Sequence, residues 1–302
     1  MRVPTWGLPF TVLAFATAVS TAAATPRPDP QPAAAVAFDP EDCTTCHEDA
    51  VTRFQTTAHA GLVQSCAACH GSVTEHVRSN LEKDEPGPIV AFSKLTAEEV
   101  NETCLGCHDK GPQANWTGGA HERRGVACNS CHSVHAFRSD RKQLQTTRDS
   151  EVCFKCHQPI RAKSLRVSHH PVREGVMGCS SCHDAHDGTR PKMVKGEWVN
   201  ELCLSCHTEK RGPFLWEHAP VRENCLSCHD AHGSNHERLL VAKQPYLCQR
   251  CHLNTRHPGT LYDFNTTLAG PRVSNRAVEH ACRNCHQAIH GGNGPSGPYL
   301  GR

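Results

Sequence analysis

All 20 cysteines fall into one repeated pattern. Cys43 and Cys46 lead to His47, Cys66 and Cys69 to His70, Cys104 and Cys107 to His108, Cys128 and Cys131 to His132, and Cys153 and Cys156 to His157. The run continues with Cys179, Cys182 and His183, then Cys203, Cys206 and His207, then Cys225, Cys228 and His229, then Cys248, Cys251 and His252, and ends with Cys282, Cys285 and His286. Each unit reads C-x-x-C-H, the attachment signature of c-type haem. Two intervening residues let both thiols reach the two vinyl groups on one porphyrin edge, and the adjacent histidine then turns under the ring as the proximal iron ligand. Zinc, disulfides and thioredoxin-like pairs also use C-x-x-C, but none requires a histidine after the second cysteine in all ten units. The pattern predicts ten covalent haems c.

The second axial position of each iron needs another donor. After removal of an export signal only Met177 and Met193 remain, so methionine cannot serve generally. Of 23 histidines, ten belong to the motifs and thirteen are left. His59, His121, His169, His218 and His257 each lie between the two motifs of a pair; His76, His135, His186, His232 and His290 each follow the second. His169 is taken over His170 because HHPV at 169–172 aligns with HAPV at 218–221, and His280 competes with His257. His170, His236 and His280 are then spare. A ligating histidine holds its Cα roughly 6 Å from the metal, so two trans ligands need about 12 Å, and three residues span at most ~10 Å. His183 and His186 therefore cannot clasp one iron, and His186 must serve another haem. The same reasoning covers His132 with His135 and His229 with His232. Each close pair is expected to tie two haems side by side.

The elements that position these residues are short. Successive first cysteines are 22 to 38 residues apart, mostly near 24, which is a quasi-repeat. Odd-numbered motifs follow helix-like lead-ins such as LTAEEVNETC, where Thr96 and Glu99 fit a capping box. Even-numbered motifs mostly follow a histidine and a turn. Five two-haem repeats result, with helices of about two or three turns because glycine and proline recur between motifs. The expected fold is a multihaem cytochrome c, short α-helices and irregular loops wrapped around a linear row of haems with almost no β-sheet. Hydrophobic residues are 37% and aromatics 5%, too few for a large side-chain core, so the cofactors must fill the interior. The formal charge of +2 falls to roughly −8 once ten ferric haems are counted. Nothing supports nucleic-acid binding.

Residues 1–24 carry Arg2, an apolar stretch and Ala22-Ala23-Ala24, and read as a secretory signal peptide rather than a membrane anchor. Residues 25–40 read as a Pro/Ala-rich tether, 41–290 as the decahaem domain and 291–302 as a Gly/Pro-rich irregular tail. No later apolar run approaches the roughly 20 residues of a spanning helix. Asn101, Asn115 and Asn265 open N-x-T triplets, taken here as chance.

The ten motifs, SCHDAHDG, SCHDAHGSNH, the HPGTLYD after the ninth motif and the closing CHQAIHGGNGPSG resemble the decahaem cytochromes of the MtrA/DmsE/PioA family over about residues 41–300. The resemblance implies bis-histidine haems in a staggered line. It also implies a periplasmic protein inserted in an outer-membrane β-barrel porin, moving electrons between a periplasmic or inner-membrane cytochrome or quinol dehydrogenase and the exterior, including an extracellular multihaem cytochrome. A soluble periplasmic shuttle shares every motif. A multihaem reductase needs an open iron, which the supply of histidines argues against, so the expectation is an electron-transfer protein and not an enzyme. Intact-mass analysis of the exported chain is expected to show ten added haems; a value well short of ten would remove the basis of this reading.

Overall fold

The computed structural model describes residues 40–62, 66–83, 87–140, 142–252 and 282–301. The expected signal peptide, all but the last residue of the expected tether, His257 and His280 lie outside them. Helices are short, as the glycine and proline spacing predicts. They are α1 Pro40–Gln55, divided by non-helical backbone at His47, α2 Ala67–His70, α3 Thr74–Lys83, α4 Ala97–Leu105, α5 Asp149–Phe154, α6 Gln158–Ser164, α7 Val199–Leu204, α8 Ala219–Glu223 and α9 Tyr246–Gln249. Among the described residues there are isolated antiparallel bridges but no strand.

Two motif settings alternate. The third, fifth, seventh and ninth motifs begin in the C-terminal half of α4, α5, α7 and α9. The fourth, sixth, eighth and tenth each open with a single 3-10 turn, Cys128–Ser130, Cys179–Ser181, Cys225–Ser227 and Cys282–Asn284. The capping box of α4 is present: Thr96 Oγ1 accepts from the Glu99 amide at 3.3 Å, and the Glu99 carboxylate accepts from the Thr96 amide at 2.7 Å.

Inside α4, Val100 is 1% exposed and Asn101 5%. Asn101 Nδ2 donates to Val126 O at 3.1 Å, and its Oδ1 accepts from the Cys128 amide at 2.8 Å. Asn200 in α7 repeats this, donating to Val221 O at 2.9 Å and accepting from the Cys225 amide at 2.8 Å. At the start of α5, Asp149 accepts from the Ser180 amide at 2.8 Å. These side chains bind an odd motif's helix to the even motif that follows. The first thiols of the two motifs then meet, Cys104 with Cys128, Cys153 with Cys179, Cys203 with Cys225 and Cys248 with Cys282. The paired repeat is thus a packed unit as well as a pattern in the sequence.

Buried apolar side chains among the described residues are Val73, Val100, Trp116, Ala127, Leu144 and Val152, too few for a continuous core. The interior is instead a continuous cavity of about 6240 Å³ whose walls carry every motif cysteine and histidine. That volume equals several cofactor pockets of about 300–1,000 Å³ each. The C-terminal stretch, with a 3-10 turn at Gly297–Tyr299, is docked on the chain. Trp216 and Gly292 exchange two backbone hydrogen bonds of 3.0 Å, and Asn293 Oδ1 accepts from the Leu215 amide at 2.6 Å.

Asn101→Ala removes a buried donor and acceptor together, leaving their partners unpaired at a cost of ~1–3 kcal/mol. Thermal melting of the haem-loaded protein is expected to show that loss, with Asn200→Ala matching it. An unchanged melting temperature in both would contradict the clasp.

Candidate haem-binding sites

Nine motif histidines face a histidine from elsewhere in the chain. The ring centroids are 6.3 Å apart for His47 with His76, 6.2 Å for His70 with His135, 5.9 Å for His108 with His59, and 6.0 Å for His132 with His186. They are 6.2 Å apart for His157 with His121, 6.0 Å for His183 with His232, 6.3 Å for His207 with His170, 6.2 Å for His229 with His290, and 6.0 Å for His252 with His218. Interplanar angles run from 8° to 74°. Aromatic contact alone tolerates centroid distances of about 4.5–7 Å but prefers particular ring orientations. Here the distance is narrow and the angle free. Two imidazoles on opposite sides of one metal behave this way, because metal–nitrogen bonds of ~2.0–2.1 Å fix the centroids ~6.3 Å apart while each ring turns about its bond.

The pairings obey a rule. From the third motif on, an odd motif faces the histidine in the interval two motifs upstream: His108 takes His59, His157 takes His121, His207 takes His170 and His252 takes His218. An even motif faces the histidine that follows the motif two places downstream: His70 takes His135, His132 takes His186, His183 takes His232 and His229 takes His290. Neighbouring repeats therefore exchange histidines in both directions, and the first repeat closes on itself through His47 and His76. The ring of His186 faces His132, the histidine of a motif other than its own. That motif is two places back, so a close pair such as His183 and His186 bridges past the intervening motif instead of joining side-by-side neighbours.

Of the two adjacent candidates His169 and His170, the structure brings His170 to a motif ring. His169 does not face His207; His170 does. Both ring nitrogens of His169 are engaged nearby, Nδ1 with Arg166 O at 2.6 Å and Nε2 with Glu174 Oε1 at 3.1 Å. His170 Nδ1 instead donates to Ala231 O at 2.9 Å, which turns the other nitrogen toward His207. His286 donates Nδ1–H to Tyr299 O at 2.7 Å. His257, the expected ligand between the ninth and tenth motifs, lies outside the described residues.

Backbone carbonyls orient the rings. Nδ1 of His70, His132, His183, His229 and His286, the five even motif histidines, bonds to Val90 O, Lys142 O, Lys192 O, Arg238 O and Tyr299 O at 2.7–3.0 Å. A proton held on Nδ1 leaves Nε2 as the free ligating atom. The carbonyls are aimed by left-handed turns at non-glycine residues, Gln143 (φ 49°), Met193 (φ 54°) and Leu239 (φ 60°), a strain of ~1–2 kcal/mol each. Sequence reasoning missed these turns because none carries a turn residue. It also missed Asn101 and Asn200, although the shared V-N-E-x-C lead-in is visible. At three odd motifs the remote ring is held instead: His76 bonds to Gly87 O at 3.0 Å, His121 to Ala185 O at 3.2 Å and His170 to Ala231 O at 2.9 Å, whereas Nδ1 of His59 and of His218 is buried without a partner among the described residues. Two glycines permit these joints. A Cβ on Gly188 would overlap Gly119, and one on Gly233 would overlap Lys163 O.

The donor set fits haem. Burial lowers the proton affinity of His59, His135, His186, His218, His232 and His290, with the facing motif ring contributing, and the neutral ring is the ligating form. Burial, with Cys225 and Cys282 respectively beside them, pushes the Cys203 thiol up to about 11 and Cys248 up to about 12. A raised thiol pKa disfavours the thiolate through which disulfides form. Trp116 Nε1 and Gln143 Nε2 are buried in the cavity wall with no acceptor from the chain, which suits a ligand bearing carboxylates. Among the described residues no three histidines, cysteines or carboxylates converge as a zinc site requires.

Short helices, no strand among the described residues and thiol pairs beside facing histidines define a multihaem c-type cytochrome. A family model described as a doubled CXXCH motif matches residues 169–212 and 218–257, and one described as an NrfB-like cytochrome c-type protein matches 66–148. The multiheme cytochrome MtrA of Shewanella baltica is 40% identical over 248 residues, 80% of this chain and 72% of its own. The cytochrome c-type protein NrfB of Haemophilus influenzae is 26% identical, over 49% of this chain and 66% of its own. The high-molecular-weight cytochrome c of Nitratidesulfovibrio vulgaris is 24% identical, over 51% and 26%. The chain belongs to the MtrA family of multihaem electron-transfer cytochromes, and its C-x-x-C-H motifs indicate covalent haem c.

His186→Ala is expected to convert one haem to a high-spin form, the one attached at Cys128 and Cys131. If the altered haem is the one at Cys179 and Cys182, the pairing rule is wrong.

Proposed function

We propose that the chain holds ten bis-histidine haems as a conductor that carries electrons across the outer membrane from within a β-barrel porin. The observation that carries the ligation is the narrow 5.9–6.3 Å spacing of nine ring pairs over a wide range of angles. The tenth follows from the rule. Among these ten motifs a histidine between the ninth and tenth has no odd motif two places on to serve, and His286 is the motif histidine without a described remote ring. We assign His257 to that role, mirroring His76 at the first motif.

Bound haem supplies a one-electron iron couple, which all-histidine ligation places below methionine–histidine haems. Burial favours the neutral form of His59, His135, His186, His218, His232 and His290. The chain orients the even motif rings through backbone carbonyls. It also brings consecutive motifs together: thiol contacts join the two motifs of a repeat, and Cys131 with Cys156, Cys182 with Cys206 and Cys228 with Cys251 lie within electrostatic reach across repeat boundaries. Such continuity supports conduction along the whole chain.

The barrel reading rests on likeness to MtrA and on polarity. No described helix is long and apolar enough to cross a membrane. A polar chain reaches membrane depth only inside a closed protein wall, which a large barrel provides. The partners are then the porin, a periplasmic or inner-membrane cytochrome or quinol dehydrogenase, and an extracellular multihaem cytochrome, with export to the periplasm by the signal peptide.

Electron paramagnetic resonance of the oxidised holoprotein is expected to show only low-spin bis-imidazole iron, and purification from outer membranes to yield a 1:1 complex with a barrel protein. Rapid cyanide binding at a high-spin site would revive a reductase. A holoprotein recovered only as a free periplasmic monomer would favour the shuttle.

A further inference from the structure

The residue after the motif histidine varies among the even motifs: Gly71, Ser133, Asp184, Asp230 and Gln287. At two of them a carboxylate folds back on the remote histidine two residues on. Asp184 Oδ1 accepts from the His186 amide at 3.1 Å and lies 3.8 Å from His186 Nδ1. Asp230 Oδ1 accepts from the His232 amide at 3.1 Å and lies 3.9 Å from His232 Nδ1. The amide bond holds each carboxylate in place, so the negative charge beside the ring is fixed by the backbone. Ser133, before His135, bonds the Ala136 amide and brings no charge.

The two carboxylates differ in one respect. Lys163 Nζ, from α6, lies 2.7 Å from Asp230 Oδ2, whose side chain is 21% exposed. For Asp184, 34% exposed, the ionic partner recorded among the described residues is His186 itself.

We propose that Asp184 and Asp230 are positioning residues that lower the reduction potential of the irons ligated by His186 and His232, and that Lys163 makes these two otherwise alike sites unequal. The proposal rests on the paired-histidine ligation above. A fixed anion beside Nδ1–H makes the ring a stronger donor and favours the more positive, oxidised iron. The step concerned is one-electron reduction of ferric to ferrous iron; the electron comes from a redox mediator in the test, and both histidine bonds remain. The site of His132 and His186 becomes the lowest of the even series. The site of His183 and His232 lies above it because Lys163 offsets Asp230, and the site of His70 and His135, beside neutral Ser133, lies higher still.

The test is a mediated potentiometric titration of the full holoprotein, followed in the ferrous α-band, for wild type, Asp184→Asn, Asp230→Asn, Lys163→Gln and the double variant Lys163→Gln/Asp230→Asn. Asparagine keeps the Oδ1 acceptor for the histidine amide, so the turn is preserved. Asp184→Asn is expected to move about a tenth of the amplitude upward by at least tenfold in the reduction equilibrium, ~59 mV for one electron. Asp230→Asn should move a like fraction upward, Lys163→Gln should move it downward, and that downward shift should be smaller when Asp230 is already Asn, because the unpaired ammonium is no longer held beside the ring. Curves for Asp184→Asn and Lys163→Gln that superimpose on wild type, with the low-spin spectrum intact, would overturn the proposal. So would a Lys163 effect that is undiminished in the double variant, or an Asp184→Asn haem that turns high-spin without a shift in Lys163→Gln. A wild-type spectrum already high-spin at these sites would instead overturn the ligation reading itself.

Discussion

Two imidazoles that share a metal must stand about 6 Å apart on opposite sides of it, and a histidine three residues from the motif cannot reach that position. The rest of the structure follows from this constraint. A motif such as that of His183 cannot use the histidine three residues on, and from the second motif to the ninth the facing rings come from neighbouring repeats. His121 goes forward to His157 while His186 comes back to His132, and the two lenders meet where His121 Nδ1 bonds Ala185 O. Packing between repeats is then governed by where the rings must arrive and hardly at all by an apolar core.

That exchange accounts for a chain with so little buried hydrocarbon. Val100 is the single side chain among the described residues that is almost wholly enclosed. In most repeat proteins each unit touches only its neighbours through apolar faces, and stability is a sum of neighbour terms. Here the ties are polar and directional: Asn101 and Asn200 within a repeat, the paired bonds of Ser168 with Ser234, and the ion pair of Lys163 with Asp230 between repeats. Directional bonds fix orientation more sharply than apolar contact does. The left-handed turns at Met193 and Leu239 show the same priority, since backbone strain is accepted there to aim a carbonyl at a motif imidazole.

Much of this was legible because the chemistry is covalent and the chain is short of alternatives. The C-x-x-C-H spacing specifies attachment, the scarcity of methionine leaves histidine as the second ligand, and chain reach separates His183 from His186. Thr96 and Glu99 announce the start of α4. Partner choice was not legible, because sequence spacing carries no information about which repeat lies beside which in space. His169 and His170 show the limit at one-residue scale. Aligning Pro171 with Pro220 favours His169, but Arg166 O and Glu174 lie close enough to occupy it, and Ala231 O orients His170. That selection depends on atoms 61 residues away. The turns at Gln143, Met193 and Leu239 were equally hidden, since tertiary demand overrides the local preference of those residue types.

The exchange also explains how such an array can end. An interior repeat lends one histidine in each direction, so a terminal repeat has one with no neighbour to receive it and one motif with no neighbour to serve it. The two deficits cancel if the spare ring turns back on its own repeat, and His76 does this for His47. No special capping segment is needed, in contrast to solenoids whose end repeats require a polar face. It follows that the rule is indifferent to the number of interior repeats: any even number of motifs closes with every ring used, and an odd number leaves one motif histidine without a remote ring. The constraint on a single metal thus links the ends of the array to its interior, and the nine ring pairs among the described residues follow the rule it sets.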